Sequence, residues 1–337
     1  MMTNLSHRFL VAALAFAAAG AGPAAFPSGV AHATPLYTVT FDDPDAAHSA
    51  YYSAISTDLT AAGADWARHL AGSGTIGVQV RFAAIPTANG TSAASAYVGQ
   101  DGATAVYDQG AAAKLRTGVD PNGAAPDAVI TIGDSYLRNQ LWFDSQPTAG
   151  GPVPSGKIDA FSVFLHELGH VFGFNGFRDP TTGQLPGAYE STFDRFVTVR
   201  PDGIYFTGEH ALAAYGGPVP LTAGNYTHFG NASPGAGSDL IGDLMNGVSF
   251  WYGYRYEISP LDLAVMSDIG VPLIPDANGL SGPVLADAAA PHPAVAVIPE
   301  PPTITLLLAV IAAFAMIARG GGGGSGLRPL ARGARIG

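Results

Sequence analysis

The chain has 337 residues, which allows one large domain or two modest ones, and its formal net charge of −11 argues against nucleic acid as a partner. Only 12% of the residues are charged while 44 are Gly, so the composition is not that of a coiled coil or a disordered protein. Cysteine is absent, which excludes disulfides, thiolate metal sites and cysteine nucleophiles, so any metal ion must be bound by His or carboxylate side chains.

The first 33 residues have the three parts of a secretory signal peptide. His7 and Arg8 precede the apolar run 9–25, and Ala31-His32-Ala33 fits an A-x-A cleavage site. We therefore expect residues 1–33 to be removed and the mature protein to be exported to the cell envelope or the exterior.

The N-terminal half of the mature chain alternates predicted strands and helices. The patterns predict, in chain order, a strand over 36–42, a helix over 47–70, a strand over 75–82, a loop or weak hairpin over 87–104, a helix over 103–116 and a strand over 127–132. This order predicts an α/β (α+β) fold with a mixed sheet.

A further helix is predicted after the Pro- and Gly-rich loop 144–157. Apolar residues at spacings of three and four run through 160–172, Asp159 is placed to act as N-cap, and Gly173 marks the end. This helix contains the motif H-E-x-x-H at 166–170. Residues four apart lie on one helix face, so both imidazoles of the motif can point at one metal ion.

The motif predicts a catalytic zinc site. Zinc binds neutral imidazole, here offered by His166 and His170, keeps one position open and lowers the pKa of a bound water to about 7. Glu167 is placed to act as general base on that water, which can then attack a carbonyl. The alternative is a chance match on a buried helix, in which His166, Glu167 and His170 would each need a structural partner.

A catalytic zinc site usually has three protein ligands, so a third is expected outside the motif. The extended pattern H-E-x-x-H-x-x-G-x-x-H would have it at position 176, where this chain has Gly176. Glu190 lies 20 residues after His170, and His228 lies 58 residues after it. On the residues alone, Glu190 and His228 are both candidates.

The chain after Gly173 has weaker patterns until one strong helix start. A strand over 193–199 and a helical turn over 211–215 are predicted. Ser259 as N-cap, with Pro260 in the first helical position and an acidic residue two positions later, predicts a helix over 261–269.

Three tyrosines lie close to this helix in the segment Trp-Tyr-Gly-Tyr-Arg-Tyr. Any one of Tyr252, Tyr254 and Tyr256 could stabilise an oxyanion, and the alternative is an alternating strand with outward aromatic side chains. The sequence does not choose among them. His210 is interpreted as a surface residue and Met266 as helix core.

The C-terminal part is predicted to be a spacer followed by a sorting signal over 299–337. Residues 282–298 are rich in Pro and Ala, Pro-Glu-Pro follows, 303–318 are almost wholly apolar, and Arg319 is basic. This order resembles the PEP-CTERM sorting signal of Gram-negative bacteria. The resemblance implies recognition by an exosortase-type enzyme and transient membrane anchoring through 303–318, which is shorter than an independent span of about 20 residues. The alternative is an ordinary C-terminal membrane anchor.

Four other segments together resemble the metzincin metalloproteases, in particular their leishmanolysin-like branch. These segments are 166–174, 227–229, 243–245 and 258–264. In that branch an insertion separates the active-site helix from the third His, and a turn containing Met follows. The resemblance implies a zincin-like fold, in which a mixed sheet packs on the active-site helix and the C-terminal subdomain is mostly irregular.

The same resemblance assigns roles to residues of the site. It implies that His228 is the third zinc ligand, with Glu190 as the alternative. It also implies that Gly173 lets the chain turn beneath the metal and that Met245 forms a hydrophobic floor under the three imidazoles. Glu167 would act first as base and then as proton donor. Gly176, in place of a His, departs from the plain metzincin pattern.

We therefore expect residues 34–281 to form the catalytic domain of a secreted zinc-dependent endopeptidase with one catalytic ion. Its substrate would be polypeptide, cleaved by a water that Glu167 activates on zinc held by His166, His170 and His228. The alternative belongs to another class: a cell-surface or extracellular-matrix protein with a metalloprotease fold and little or no activity. The sorting signal favours that alternative, and the intact Glu167 argues against it.

Overall fold

The computed structural model describes residues 35–230, 240–247 and 249–274, together with the backbone of 295–297. The predicted signal peptide and the predicted sorting signal, with its apolar run 303–318, lie outside these ranges. Among the described residues, no helix is both long enough and apolar enough to cross a membrane.

Helices and strands alternate through the first part of the described chain. The helices are α1 Tyr52–Ala67, α2 Gly110–Thr117, α3 Asp134–Asn139, α4 Ala160–Phe172, α5 Glu209–Tyr215 and α6 Pro260–Asp268. The strands are β1 Leu36–Asp42, β2 Thr75–Ala83, β3 Ala88–Ser92, β4 Ser95–Asp101, β5 Thr104–Gln109, β6 Ala128–Gly133, β7 Leu141–Trp142, β8 Ile158–Asp159, β9 Tyr189–Ser191, β10 Val197–Arg200, β11 Gly203–Phe206, β12 Val219–Leu221, β13 Ser249–Trp251 and β14 Val295–Val297.

A four-stranded mixed sheet in the order β1-β2-β6-β3 forms the centre of the fold. The first three strands are parallel, and β3 runs antiparallel to β6 at the edge. Ile76, Val78 and Val80 on β2 are fully buried and alternate with more exposed neighbours, as the period of two in the sequence predicts. The prediction of a mixed sheet in an α/β (α+β) chain is confirmed.

Helix α4 packs between α1 and the sheet edge. The indole N–H of Trp66 on α1 donates a hydrogen bond to the carbonyl oxygen of Leu165 at 2.9 Å. On the other side, Gly90 of β3 comes so close that a Cβ there would lie 2.8 Å from the Cβ of Glu167. The sheet edge therefore lies directly beside the glutamate of the H-E-x-x-H motif. Helix α1 is shorter than the predicted 47–70, since a short 3-10 turn at Ser49–Tyr51 precedes it and it ends at Ala67.

Two predictions in the region before β6 are wrong. The helix expected over 103–116 is a strand in its first half, because β5 occupies 104–109 and α2 begins after it. Val106 and Tyr107 favour a strand and the alanines after them favour a helix, so the predicted helix merged two elements. The segment 87–104, expected as a loop or weak hairpin, forms β3 and β4, because backbone pairing orders its small residues.

Most of the described residues after 173 lie outside helices and strands, as expected for the C-terminal subdomain, but residues 197–221 form regular structure. Strands β10, β11 and β12 form an antiparallel sheet there, and α5 lies between β11 and β12. The predicted start of α6 is confirmed. The Ser259 hydroxyl accepts a hydrogen bond from the Asp262 N–H at 3.0 Å, and the Asp262 carboxyl accepts one from the Ser259 N–H at 2.7 Å.

Candidate metal centre

Helix α4 carries the first two predicted ligands. Asp159 caps it as predicted, since its carboxylate accepts a hydrogen bond from the N–H of Ser162 at 3.1 Å. His166 and His170 lie on one face, with ring centroids 4.7 Å apart, and both side chains are buried. The helix ends before Gly173, at the predicted position.

A tight turn brings His228 to the same point. Its N–H donates to the carbonyl oxygen of Asn225 at 3.1 Å, and its own carbonyl accepts from the N–H of Thr222 at 3.0 Å. The Nε2 atom of His228 lies 3.2 Å from that of His166 and 2.9 Å from that of His170. The Nε2 atoms of the two helix histidines are 3.1 Å apart. The three predicted ligands therefore converge.

Each of the three imidazoles has a backbone carbonyl at its Nδ1 atom. The pairs are His166 with Leu244 at 2.7 Å, His170 with Phe174 at 2.6 Å and His228 with Asn225 at 3.2 Å. A carbonyl only accepts, so each Nδ1 carries the proton and each Nε2 presents a lone pair. Lone pairs facing one another at such distances repel unless a cation lies between them. Zinc–nitrogen distances of about 2.0–2.1 Å place tetrahedral ligands about 3.4 Å apart. The Nε2 atoms here are slightly closer, at 2.9–3.2 Å, and three converging neutral imidazoles are a donor set that zinc binds.

Glu190, the alternative third ligand, lies outside this group. Among the described His, Asp and Glu residues, the group whose ligand atoms all lie within 4.8 Å of one another consists of the three histidines. Glu190 is on β9, where burial raises the pKa of its carboxyl and the neighbouring charges of Asp101 and Asp194 add to that effect.

The surroundings of Gly176 explain why no ligand comes from that position. A Cβ there would clash with the hydroxyl of Tyr226 and the carboxylate of Asp194. Asp194 is fully buried and accepts hydrogen bonds from the N–H groups of Phe177 at 2.7 Å and Ser191 at 2.9 Å, and from Tyr226 at 2.9 Å. The segment between His170 and His228 folds around this carboxylate, so the space at position 176 is filled.

Glycines allow two other segments to approach α4 closely. Met245 is fully buried, and a Cβ at Gly169 would lie 2.5 Å from its Sδ atom. Gly173 has extended backbone, with φ −179°, and lies against Met266 of α6 and Ile269 directly after it. A side chain at 173 would therefore push α6 away. Met266 is fully buried, which confirms its assignment to the helix core.

Two buried carboxyl groups hold the turn that carries Met245. Asp243 accepts hydrogen bonds from the N–H of Met245 at 3.0 Å and from the Ser259 hydroxyl at 2.7 Å. Burial, followed by the charge of Asp243, raises the pKa of Asp262 well above its usual value. Burial also raises the pKa of Asp243, and a hydrogen bond between the two carboxyl groups, which share a proton, ties the turn to the start of α6.

The tyrosines proposed for the oxyanion serve other contacts. The hydroxyl of Tyr256 accepts from the N–H of Trp251 at 3.1 Å, and the hydroxyl of Tyr252 donates to Gln140 at 3.3 Å. Tyr254 is 39% exposed and packs edge-on against Trp251. None of the three is assigned to the centre.

Sequence reasoning missed two features of the site. The ring of Phe250 packs against His166 with centroids 5.2 Å apart, and no motif marked it. The backbone carbonyls at the Nδ1 atoms carry no residue-type signature at all. His210, interpreted as a surface residue, has a half-exposed side chain whose Nδ1 lies 2.8 Å from Asp268.

Comparison with curated proteins found a partial relative. A stretch of 147 residues is 29% identical to serralysin from Proteus mirabilis and covers 39% of this chain. The chain spans 30% of the length of that protein. No protein-family model matches the chain. No solved structure matches it either.

Proposed function

We propose that the protein is a zinc-dependent endopeptidase of metzincin type, with an insertion ahead of its third metal ligand. The observation that carries the proposal is the convergence of three Nε2 lone pairs, from His166, His170 and His228, beside Glu167 on one helix. The partial similarity to serralysin, a zinc metalloprotease, supports the same class of reaction.

The residues of the site have separate roles in the proposed reaction. When bound, zinc supplies a lowered pKa for water and polarises the scissile carbonyl. The three imidazoles are presented as neutral ligands, because their Nδ1 protons are held by carbonyls. Glu167, which is 2% exposed, takes the proton from the attacking water and passes it to the leaving amine. Met245 packs against α4 at Gly169, and Gly173 lets Met266 of α6 pack against the end of α4.

The sheet edge offers a place for an extended polypeptide. β3 is the edge strand of the main sheet and lies beside α4 at Gly90 and Glu167. A substrate in extended conformation can pair with such an edge through backbone hydrogen bonds, which would lay its scissile bond along the helix.

Export and sorting belong to the same proposal. A signal peptide over 1–33 would direct the protein to the envelope of a Gram-negative cell. The Pro-Glu-Pro segment with 303–318 would anchor it transiently in the membrane until an exosortase-type enzyme removes the tail. The catalytic domain would be 34–281.

The proposal is tested by metal content and proteolysis on the purified full-length chain. Wild type, Glu167→Gln and His228→Ala are each analysed by mass spectrometry for zinc and incubated with unfolded casein. We expect about one zinc per chain and cleavage in wild type, zinc without cleavage in Glu167→Gln, and loss of zinc in His228→Ala.

Other outcomes would change the assignment. Wild type that binds zinc but cleaves nothing would favour a cell-surface or matrix protein that keeps the fold without the activity. Zinc retained in His228→Ala but lost in Glu190→Ala would make Glu190, and not His228, the third ligand. A wild-type chain that binds no zinc would overturn the proposal.

A further inference from the structure

Arg255 holds together two parts of the chain that meet at the start of α4. Its Nε and one terminal nitrogen bind the carboxylate of Asp159 at 2.9 Å each, in a bidentate pair. The same terminal nitrogen lies 3.1 Å from Asp144, and the other donates to the carbonyl oxygen of Pro147 at 2.7 Å. The guanidinium thus fixes the loop before α4 as well as the helix start.

The carboxylate bound by Arg255 is the one that begins the metal-bearing helix. Asp159 is fully buried and accepts hydrogen bonds from the N–H and the hydroxyl of Ser162, at 3.1 and 2.7 Å. The carboxylate of Asp159 therefore accepts hydrogen bonds both from the N-terminus of α4 and from the guanidinium of Arg255. Because the orientation of the first turn sets the direction of the helix axis, the contact bears on His166 two turns later.

Arg255 belongs to the segment 250–256, which also contacts a ligand of the metal centre. The N–H of Tyr256 donates to the Ser162 hydroxyl at 2.8 Å, so the backbone next to Arg255 is joined to the same helix turn. The ring of Tyr256 packs on Phe250 at 4.6 Å, and Phe250 packs on His166 at 5.2 Å. Movement of this segment would change the wall against which the His166 imidazole rests.

The carboxyl groups around Arg255 require its positive charge. Asp58 of α1 is a third, fully buried carboxyl close to Asp144 and Asp159. Burial and the charge of Asp159 raise the pKa of Asp58 to about 8, while Arg255 opposes this effect. Loss of the guanidinium would leave Asp144 and Asp159 uncompensated at the helix N-terminus.

We infer that Arg255 is a positioning residue of the metal centre, which fixes α4 through Asp159 and fixes the His166 ring through the segment that carries Phe250. This inference rests on the proposed zinc site, although not on peptidase activity. It assigns a role in the geometry of the ligands to a side chain that does not approach the metal.

The experiment compares Arg255→Lys with wild type in the full-length chain. Lysine keeps the charge but cannot make the bidentate pair with Asp159. Arg195→Lys is the matched control, since Arg195 is a partly exposed residue paired with Asp101 at 3.4 Å on the surface. Each variant is loaded with Co²⁺ to record the d–d absorption spectrum, titrated for zinc affinity against a chelator, and melted to establish that it is folded.

We expect Arg255→Lys to be folded, to have a changed cobalt spectrum and to bind zinc about tenfold more weakly, as for outer contacts of metal ligands. Arg195→Lys should match wild type. A folded Arg255→Lys with wild-type spectrum and affinity would overturn the inference, as would a wild-type chain that binds neither ion. Spectral change in Arg255→Lys with no casein cleavage by wild type would refute the peptidase and support the positioning role.

Discussion

The carbonyl oxygen of Leu244 lies 2.7 Å from Nδ1 of His166, and this contact joins the turn before α6 to the metal-bearing helix. Because the carbonyl only accepts, it holds the imidazole in the tautomer whose Nε2 lone pair faces the other two histidines. The geometry of a ligand on α4 therefore depends on a turn that lies 78 residues later in the chain.

We expect Asp262→Asn to preserve this turn and Asp262→Ala to loosen it. An Asn amide can donate to Asp243 as the protonated carboxyl does, and its oxygen can accept from the Ser259 N–H. Alanine would leave Asp243 buried with one donor fewer, which should lower the free energy of unfolding by about 2 kcal/mol and weaken zinc binding about tenfold. Urea unfolding and chelator competition measure the two effects. Equal losses in both variants would show that Asp262 does not hold the proton.

A histidine introduced at position 176 should not become a ligand. The space there is filled by the hydroxyl of Tyr226 and the carboxylate of Asp194. We expect Gly176→His, placed in the His228→Ala background, to leave zinc binding absent and to lower the melting temperature. Zinc content by mass spectrometry decides the matter. Recovery of one zinc per chain would mean that the segment between His170 and His228 can rearrange and bring position 176 to the metal.

Gly90 sets the distance between the sheet edge and Glu167. A Cβ at position 90 would lie 2.8 Å from the Cβ of Glu167 and closer still to its backbone, so Gly90→Ala must displace β3 from α4. We expect a loss of about 1–3 kcal/mol in unfolding free energy and a fall in casein cleavage with zinc retained. Gly156→Ala is the control, because a Cβ there meets nothing within 4 Å. Unchanged cleavage in Gly90→Ala would argue against substrate pairing on β3.

The parts of this site that the sequence could predict are those encoded in local spacing. The pair His166 and His170, the cap at Asp159 and the start of α6 at Ser259 each follow from residues within one or two helical turns. His228 could be preferred to Glu190 only through a resemblance, because the turn that delivers it depends on how the segment between His170 and His228 folds around Asp194. No local pattern records that packing.

The contacts that orient the ligands were beyond sequence reasoning for a different reason. The carbonyls of Leu244, Phe174 and Asn225 belong to the backbone, which every residue has. Similarly, the edge strand β3 has few β-prone side chains, and its Gly90 is explained by the close approach of α4 rather than by a turn. The positions of these carbonyls and of β3 depend on strand pairing and on contacts with α4, which join residues distant in the sequence.

The stability of the fold should depend on pH through Asp58. Its folded pKa is about 8, raised chiefly by burial, whereas a carboxyl in the unfolded chain has a pKa of about 3.9. Between these values the folded state holds a proton that the unfolded state has released. The free energy of unfolding should therefore fall as the pH rises from about 4 to about 8, by at most about 1.4 kcal/mol per pH unit, and this dependence should end above the folded pKa.

Asp58→Asn removes the titrating group and keeps the shape of the neutral acid. We expect its stability relative to wild type to increase from pH 5 to pH 8 and then to level off, because only wild type loses stability as the pH approaches the folded pKa of Asp58. Asp45→Asn, at an exposed position, should follow wild type throughout. Thermal unfolding of the three chains across this range measures the effect. Parallel curves would show that Asp58 is ionised in the folded protein, in which case the charge of Arg255 is shared among three carboxylates rather than two.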